Sequence, residues 1–415
     1  MKSVFKISYS ISKWFFTLLL LSIVVGSTSA LFLFLLQTVT IFRETHLWIM
    51  LFLPLAGIFI VWLYNRYAGR SQKGNNLILE EYYRPREAIP FRMAPLIVFT
   101  TLITHLFGGS AGREGTAVQY GATFADQFTN LFRFSKTERR ILLMSGIAAG
   151  FASLFGTPWA GALFGLELVR VGKIRWKGIA PIITVAHLSN YICGLYGHLH
   201  TVYPQVGIAP TFSWVSIAWM MLASIIFGIT SILFSLSIEG CTALFNKIKL
   251  QWLRPFIGGI IILLCVYILG STKHIGLGIP TILDAFQQQL PSYDFFIKIA
   301  LTALTLSAGF KGGEVTPLFF IGATLGNALC LFIPLPMASM VASGFIAVFA
   351  GCTKTPLACS VMGMELFGVE AALWFFIACA VSYVLSGKFG IYNSQISKKA
   401  RFSAQLKRHI LPPNF

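Results

Sequence analysis

Eleven apolar runs follow one another along the 415-residue chain: Trp14–Leu36, Trp48–Leu63, Ala94–Phe107, Ile141–Leu166, Ile179–Leu195, Trp214–Leu236, Phe256–Leu269, Phe295–Phe310, Leu318–Phe332, Met337–Gly351 and Ala371–Leu385. Only 11% of residues are charged, against ~25% in a soluble domain. Such a chain belongs in a bilayer. There every backbone polar group needs a partner inside the protein, which confines spanning segments to helices or closed barrels. Several runs approach the ~20 residues of a helical span, and others are shorter and broken by Gly or Pro. The reading is an all-α polytopic membrane protein with many tilted and broken helices. Trp14–Leu36, although preceded by Lys2, Lys6 and Lys13, exceeds the ~7–15-residue core of a signal peptide, so it reads as a retained first helix.

The net charge of +18 is distributed at the ends of these runs. Basic residues cluster at Arg66–Arg92, Arg133–Arg140, Arg170–Lys177, Lys247–Arg254 and Lys388–Arg408, while Tyr196–Ser213 has none. The positive-inside rule then places the basic loops and both termini in the cytoplasm, in an inner (plasma) membrane. Charges that border spans form no single face, which argues against nucleic acid as a partner. The seven cysteines lie mostly inside apolar runs without a CxxC pair and read as small buried hydrophobes. His198 and His200 form an H-x-H pair with no nearby carboxylate or thiol, so no metal site is expected.

The two halves of the chain repeat. "GIAAGFASLFGTPWAGALFGLEL" from Gly146 and "GFIAVFAGCTKTPLACSVMGMEL" from Gly344 each place a proline 12 residues after the glycine and a glutamate 9 residues after the proline. Upstream, "GREGTAVQYGAT" at Gly112 faces "GGEVTPLFFIGAT" at Gly312, which pairs Glu114 with Glu314. The expected units are residues 1–200, residues 201–396 and a basic tail, 397–415. Long-period repeats in an apolar chain point to a transporter whose halves often have opposite membrane orientation.

Two Gly-rich segments at matching places suit an ion site. A helix N-terminus carries free N–H groups and about half a positive charge, so it attracts anions. Glycine lets an ion approach the backbone, and Pro317 suits a first helical turn. Arg113 and Glu114 sit inside the first segment, "GGSAGREGTAVQYG". A mid-bilayer charge costs at least ~2.5–3.5 kcal/mol, which marks the pair as functional. The rival reading, a dinucleotide-binding fingerprint, needs a strand and a βαβ unit that the sequence lacks.

"GSAGREGT", "AAGFASLFGTPWAGALFGLE", "GGEVTPLFFIGATLG" and "GIYNSQI", in this order, resemble the CLC family of anion channels and anion/proton exchangers, over residues 14 to 396. Three departures from its chloride-type pattern look like the fluoride-exporting branch, CLC-F. Thr116 replaces a proline, Asn75 in "KGNNLIL" replaces a serine of the anion loop, and "GGEVTP" replaces a Gly-Gly-x-Phe-x-Pro motif. The resemblance implies an inverted-repeat fold, a homodimer with one pore per subunit, no cofactor and no metal, and fluoride and protons as substrates. With so short a tail, no regulatory domain is expected after the membrane part.

The resemblance also implies residue roles. Glu114 matches the gating glutamate, which fills an anion position when ionised and leaves it when protonated, so one group both excludes the anion and carries the proton. Gly112 and Arg113 belong to its turn. The backbone N–H groups of Glu314 and Val315 match the second helix end that cradles the ion. Thr316 and Phe320 look like pore-lining positions, offering a hydroxyl and a positive ring edge to a small hard anion. Tyr392 matches the pore tyrosine, and the Asn75 amide can donate, although its small neighbours also fit a simple loop turn. An Arg113–Glu114 ion pair serving only the fold is the alternative at the gate. Glu167 and Glu365 read as caps of helix-end N–H groups, while Glu314 fits either that role or the pore. Many chloride/proton exchangers of the family carry an inner glutamate where this chain has Leu168, so Glu114 would serve protons without it.

Two other readings are weighed. A chloride channel or chloride/proton exchanger of the same family conflicts with the departures at Asn75 and Thr116. An intramembrane enzyme would need a nucleophile, carboxylate-pair or zinc motif, and neither HExxH nor GxSxG occurs. The expectation is a transporter and not an enzyme.

Overall fold

A computed structural model of the chain describes residues 2–169, 178–197, 200–392 and 394–395, without the side chains of residues 2–10. The cluster Arg170–Lys177, His198, Asn393 and Ile396 of "GIYNSQI", and the tail 397–415 lie outside the described residues, as does most of Lys388–Arg408.

Sixteen α-helices are described: α1 (Lys2–Thr45), α2 (Leu53–Tyr67), α3 (Asn75–Tyr83), α4 (Met93–Leu106), α5 (Glu114–Leu131), α6 (Lys136–Phe155), α7 (Pro158–Leu168), α8 (Ile179–Gly194), α9 (Trp214–Asn246), α10 (Leu253–Leu269), α11 (Ile279–Asp284), α12 (Asp294–Ala308), α13 (Val315–Leu329), α14 (Met337–Thr353), α15 (Pro356–Phe367) and α16 (Ala372–Leu385). Ile11–Thr45, Leu47–Tyr67 and Trp214–Asn246 are long and apolar enough to cross a membrane, and seven further apolar helices are shorter. The eleven apolar runs locate most of these. The run Ile141–Leu166 divides into α6 and α7, because Gly156 turns left-handed (φ +77°) and Pro158 begins a new helix. Helices α3, α5, α11 and α15 escaped the hydropathy pattern; α5 buries Glu114, Gln119, Thr123 and Asp126, so its inward face is polar.

The first eight helices and the last eight repeat one arrangement. α1 packs on α4, α6 and α8 as α9 packs on α12, α14 and α16; α5 packs on α6 as α13 packs on α14. Paired glycines make the two closest crossings. A β-carbon added to Gly121 would run into the Gly146 carbonyl, and one added to Gly322 into the Gly344 carbonyl. Lipid gives helices little hydrophobic reason to associate, so close backbone approach of this kind carries the packing.

Two glutamates lock the halves together reciprocally. Glu365, near the end of α15, accepts from the Trp159 and Ala160 N–H groups at 3.0 and 2.8 Å. Glu167, near the end of α7, accepts from Leu357 and Ala358 at 3.3 and 2.9 Å. Pro158 and Pro356 remove one orphan donor each at these helix starts, and the glutamates take the next two. Both residues therefore cap helices, as expected from the sequence. The seven cysteines are free thiols, four of them buried.

On the face rich in basic residues, Arg139 joins Asp126 (2.5 Å) to Glu81 (3.2 Å), and Arg70 pairs with Glu81 and Glu87. These ion pairs fasten α3 to α5 and α6, and α3 begins with Asn75.

A candidate anion pathway closed by Glu114

The two Gly-rich segments meet at the centre of the protein. Gly112 and Gly313 exchange both backbone hydrogen bonds, N to O at 2.5 and 2.8 Å, as an antiparallel bridge. Only glycine permits this approach: a β-carbon on Gly313 would lie 2.7 Å from the Gly115 nitrogen. α5 begins two residues after Gly112 and α13 two residues after Gly313, so both helix N-termini converge here.

The bridge corrects the sequence pairing by one residue. Gly112 corresponds to Gly313 rather than Gly312, so Glu114 stands opposite Val315, and Arg113 opposite Glu314. The shared Gly-x-Glu spelling concealed this, because register follows the bridge and the helix starts and not the letters.

Glu114 is fully buried. Its Oε2 accepts from the Arg113 and Thr316 backbone N–H groups, each at 3.0 Å, and its Oε1 accepts from the Thr316 hydroxyl. The carboxylate of one half thus occupies the N-terminal end of α13 in the other. The N–H groups of Glu314 and Val315 are those expected to cradle an ion; the Glu114 carboxylate itself is met by the next, that of Thr316. The Arg113 Nε lies 3.8 Å from Glu114 Oε1 without a hydrogen bond, so the guanidinium is near but the backbone and Thr316 hold the carboxylate.

Cavities approach this point from either side. One, of about 310 Å³, is lined by Arg113, His200, Gln37 and Leu277 on the face of the loop that lacks basic residues. The other, of about 180 Å³, is lined by Asn75, Gln119, Lys311, Glu314 and Tyr392 on the basic-rich face. Glu114 and Thr316 line neither cavity and stand between residues that do.

The cavity on the basic-rich face collects three expected site residues. Gly74 adopts φ +54°, ψ −132°, a conformation for glycine alone, and turns the chain so that Asn75 starts α3 facing the cavity. Asn75 is thus both a turn-exit residue and a cavity residue; its Nδ2 lies 3.3 Å from where a Gly115 β-carbon would stand, and its Oδ1 has no partner among the described residues. The Tyr392 hydroxyl is buried and has no hydrogen-bond partner among the described residues. Glu314 caps no helix with its side chain and opens onto the cavity. Phe320, one turn beyond Thr316, is buried against Gly278, His274 and Lys298 and lines neither cavity.

Other residues take places the sequence did not signal. Thr116 bonds its hydroxyl to Thr101 at 2.7 Å and so ties α5 to α4. His200 Nε2 sits 2.8 Å from the Ser153 carbonyl, and no cluster of three metal-ligating side chains occurs among the described residues. Lys311 had no motif to mark it, yet it lines the cavity on the basic-rich face with its ammonium 4.4 Å from the centre of the Tyr64 ring.

Comparison with known proteins follows the same lines. A sequence model described as voltage gated chloride channel matches residues 56–387. A "Chloride/fluoride channel protein" of Pseudomonas syringae pv. tomato is 45% identical over 392 residues, 93% of this chain and 86% of that protein. An H(+)/Cl(-) exchange transporter of Yersinia pestis is 26% identical over 293 residues, 66% of this chain and 61% of its own. Among solved structures, a CLC-type fluoride/proton antiporter superposes with a TM-score of 0.91 at 34% identity, covering 94% of this chain and 99% of its own. A slow cyanobacterial Cl-/H+ antiporter superposes with a TM-score of 0.77 at 18% identity, covering 96% and 99%, a likeness of fold.

Proposed function

The chain belongs to the voltage-gated chloride channel (CLC) family, and from that premise we propose that it is a fluoride/proton antiporter gated by Glu114. One observation carries the reading: a buried carboxylate seated on the N–H and hydroxyl of Thr316, where an anion would sit. Ionised, Glu114 is the anion that fills the seat and closes the route between the cavities. Protonated, it loses charge-assisted hydrogen bonds, which are roughly twice as strong as neutral ones, and yields the seat to fluoride. A seat held by either the carboxylate or fluoride makes proton and fluoride movement alternate, which is exchange. Leu168 contributes no titrating group, so the proton path runs through Glu114.

Fluoride is favoured over chloride by the donors around the path, namely the Thr316 hydroxyl and N–H, the Asn75 amide and the Tyr392 hydroxyl. A small anion loses much hydration on entry and needs donors in return. Chloride transport by the same gate is the second reading, supported by the names of the relatives. Liposomes loaded with either anion decide between them. Fluoride efflux far faster than chloride efflux is expected, and equal rates refute the fluoride assignment.

We further place the protein in the inner membrane as a homodimer, with the basic-rich face, the inner cavity and both termini in the cytoplasm, and read it as a transporter and not an enzyme. Crosslinking in mild detergent checks the dimer, and monomers alone at micromolar protein would count against it.

A further inference from the structure

The gate leaves one charged side chain of the pathway unused. Lys311 lies in the turn just before α13, between Phe310, which ends its backbone run, and the Gly112–Gly313 bridge, and it lines the inner cavity. Among the described residues, no carboxylate comes within ion-pair distance of it. Its ammonium instead rests over the face of Tyr64, 4.4 Å from the ring centre. Two other charged groups face this cavity, Lys73 and Glu314. Lys73 is engaged with Glu80 at 2.7 Å. Glu314 has no ion-pair partner among the described residues, three positions from Lys311.

An aromatic face steadies an ammonium without neutralising it, and it consumes none of the three N–H donors the way a carboxylate would. Lys311 therefore brings the cavity a positive charge that no carboxylate among the described residues pairs. In the same cavity neither the buried Tyr392 hydroxyl nor Asn75 Oδ1 has a hydrogen-bond partner among the described residues. At about 180 Å³ the space admits an ion with several waters, at roughly 30 Å³ per water.

We propose that the inner cavity is a capture site for a small hydrated anion, with Lys311 as its charge and Tyr64 as the support that holds that charge in place. Fluoride gathers there while still partly hydrated and loses water on its way to the Thr316 seat. An ammonium that keeps its charge within low-dielectric walls raises the local concentration of anions, and a cytosolic anion at low concentration needs this help most. The inference rests on the reading of the chain as a fluoride transporter.

The test measures fluoride efflux from proteoliposomes over a range of luminal fluoride, at low and high concentrations of an inert salt. Lys311→Met, which keeps the stem against Tyr64, is expected to raise the half-saturating fluoride concentration by about tenfold at low salt. The effect should fall on half-saturation more than on maximal rate. The gap between native protein and variant should narrow as salt rises, because the screening length falls from ~30 Å at 0.01 M to ~10 Å at 0.1 M. Lys311→Arg should restore native half-saturation. An unchanged half-saturation in Lys311→Met at low salt overturns the proposal, and so does a rise that Arg does not reverse. If neither variant yields folded protein, the native half-saturation itself must rise with salt, and a flat dependence overturns the proposal equally. Native protein that moves no fluoride would instead sink the functional reading, so the two failures are distinct.

Discussion

Replacing Glu114 with glutamine tests the gate at its seat. The carboxylate accepts three hydrogen bonds, from Arg113 N–H, Thr316 N–H and the Thr316 hydroxyl. The amide is isosteric: its oxygen can keep the place of Oε2, and the Thr316 hydroxyl can rotate to accept from its NH₂. Geometry is thus preserved while charge is lost. A hydrogen bond to a charged group contributes ~1.5–3 kcal/mol and a neutral one ~0.5–1.5. The three together weaken by about 3–4 kcal/mol, which at ~1.4 kcal/mol per tenfold is more than two orders of magnitude in occupancy of the seat. The amide also cannot bind or release a proton near neutral pH. In liposomes carrying a fluoride gradient and a pH probe, Glu114→Gln should therefore move no protons above the protein-free level, and any fluoride that crosses should carry none. Proton movement at the native fluoride-to-proton ratio in this variant would refute the assignment of Glu114 as gate and carrier.

Thr316→Ala and Tyr392→Phe should each slow fluoride flux by about one order of magnitude, since each removes a donor worth ~1.5–3 kcal/mol to an anion; Thr353→Ala, whose hydroxyl bonds Phe349 and Thr355, serves as control, and its failing alone would misplace the pore. Glu167→Ala leaves the Leu357 and Ala358 N–H groups without an acceptor, at ~1–3 kcal/mol each. A lower melting temperature in detergent is expected, with native flux per folded molecule; an unchanged melting temperature would contradict the capping role. Gly344→Ala puts a β-carbon into the Gly322 carbonyl and should abolish the folded, monodisperse protein in detergent, where normal yield and activity would show that α13 and α14 can part.

Features with a local signature were legible in the sequence. The duplication was read from Gly-Pro-Glu spacing, because helix crossings, helix starts and caps each demand a particular residue. That demand also made the roles of Glu167 and Glu365 readable. Glu114, Asn75 and Tyr392 stood out by motif; Asn75 and Tyr392 line one cavity and Glu114 is buried. The misses were relational. The register between halves was off by one because Glu114 and Glu314 share a residue type but not a position relative to the Gly112–Gly313 bridge. That the Thr316 N–H meets the Glu114 carboxylate was not readable, since which helix-end donor meets that group depends on the approach of the other half. Helix α5 hid because its buried face is polar. Lys311 carried no signal because its surroundings, the Tyr64 ring far away in sequence and the cavity it lines, are assembled only by the fold.

The cross-connected caps have a consequence for how the molecule is made. Chains emerge N-terminus first at ~5–20 residues per second, so Glu365 follows Ala160 by roughly 10 to 40 s. Through that interval the Trp159 and Ala160 amides that Glu365 will receive must find water or another acceptor, and Gly112 has no Gly313 to bridge. The first half is thus a waiting intermediate whose ion path does not yet exist, and the transporter becomes competent only when its second half arrives to supply acceptors and donors at once. By the same logic the two halves, produced as separate chains, carry matched ends with which to find each other in the bilayer.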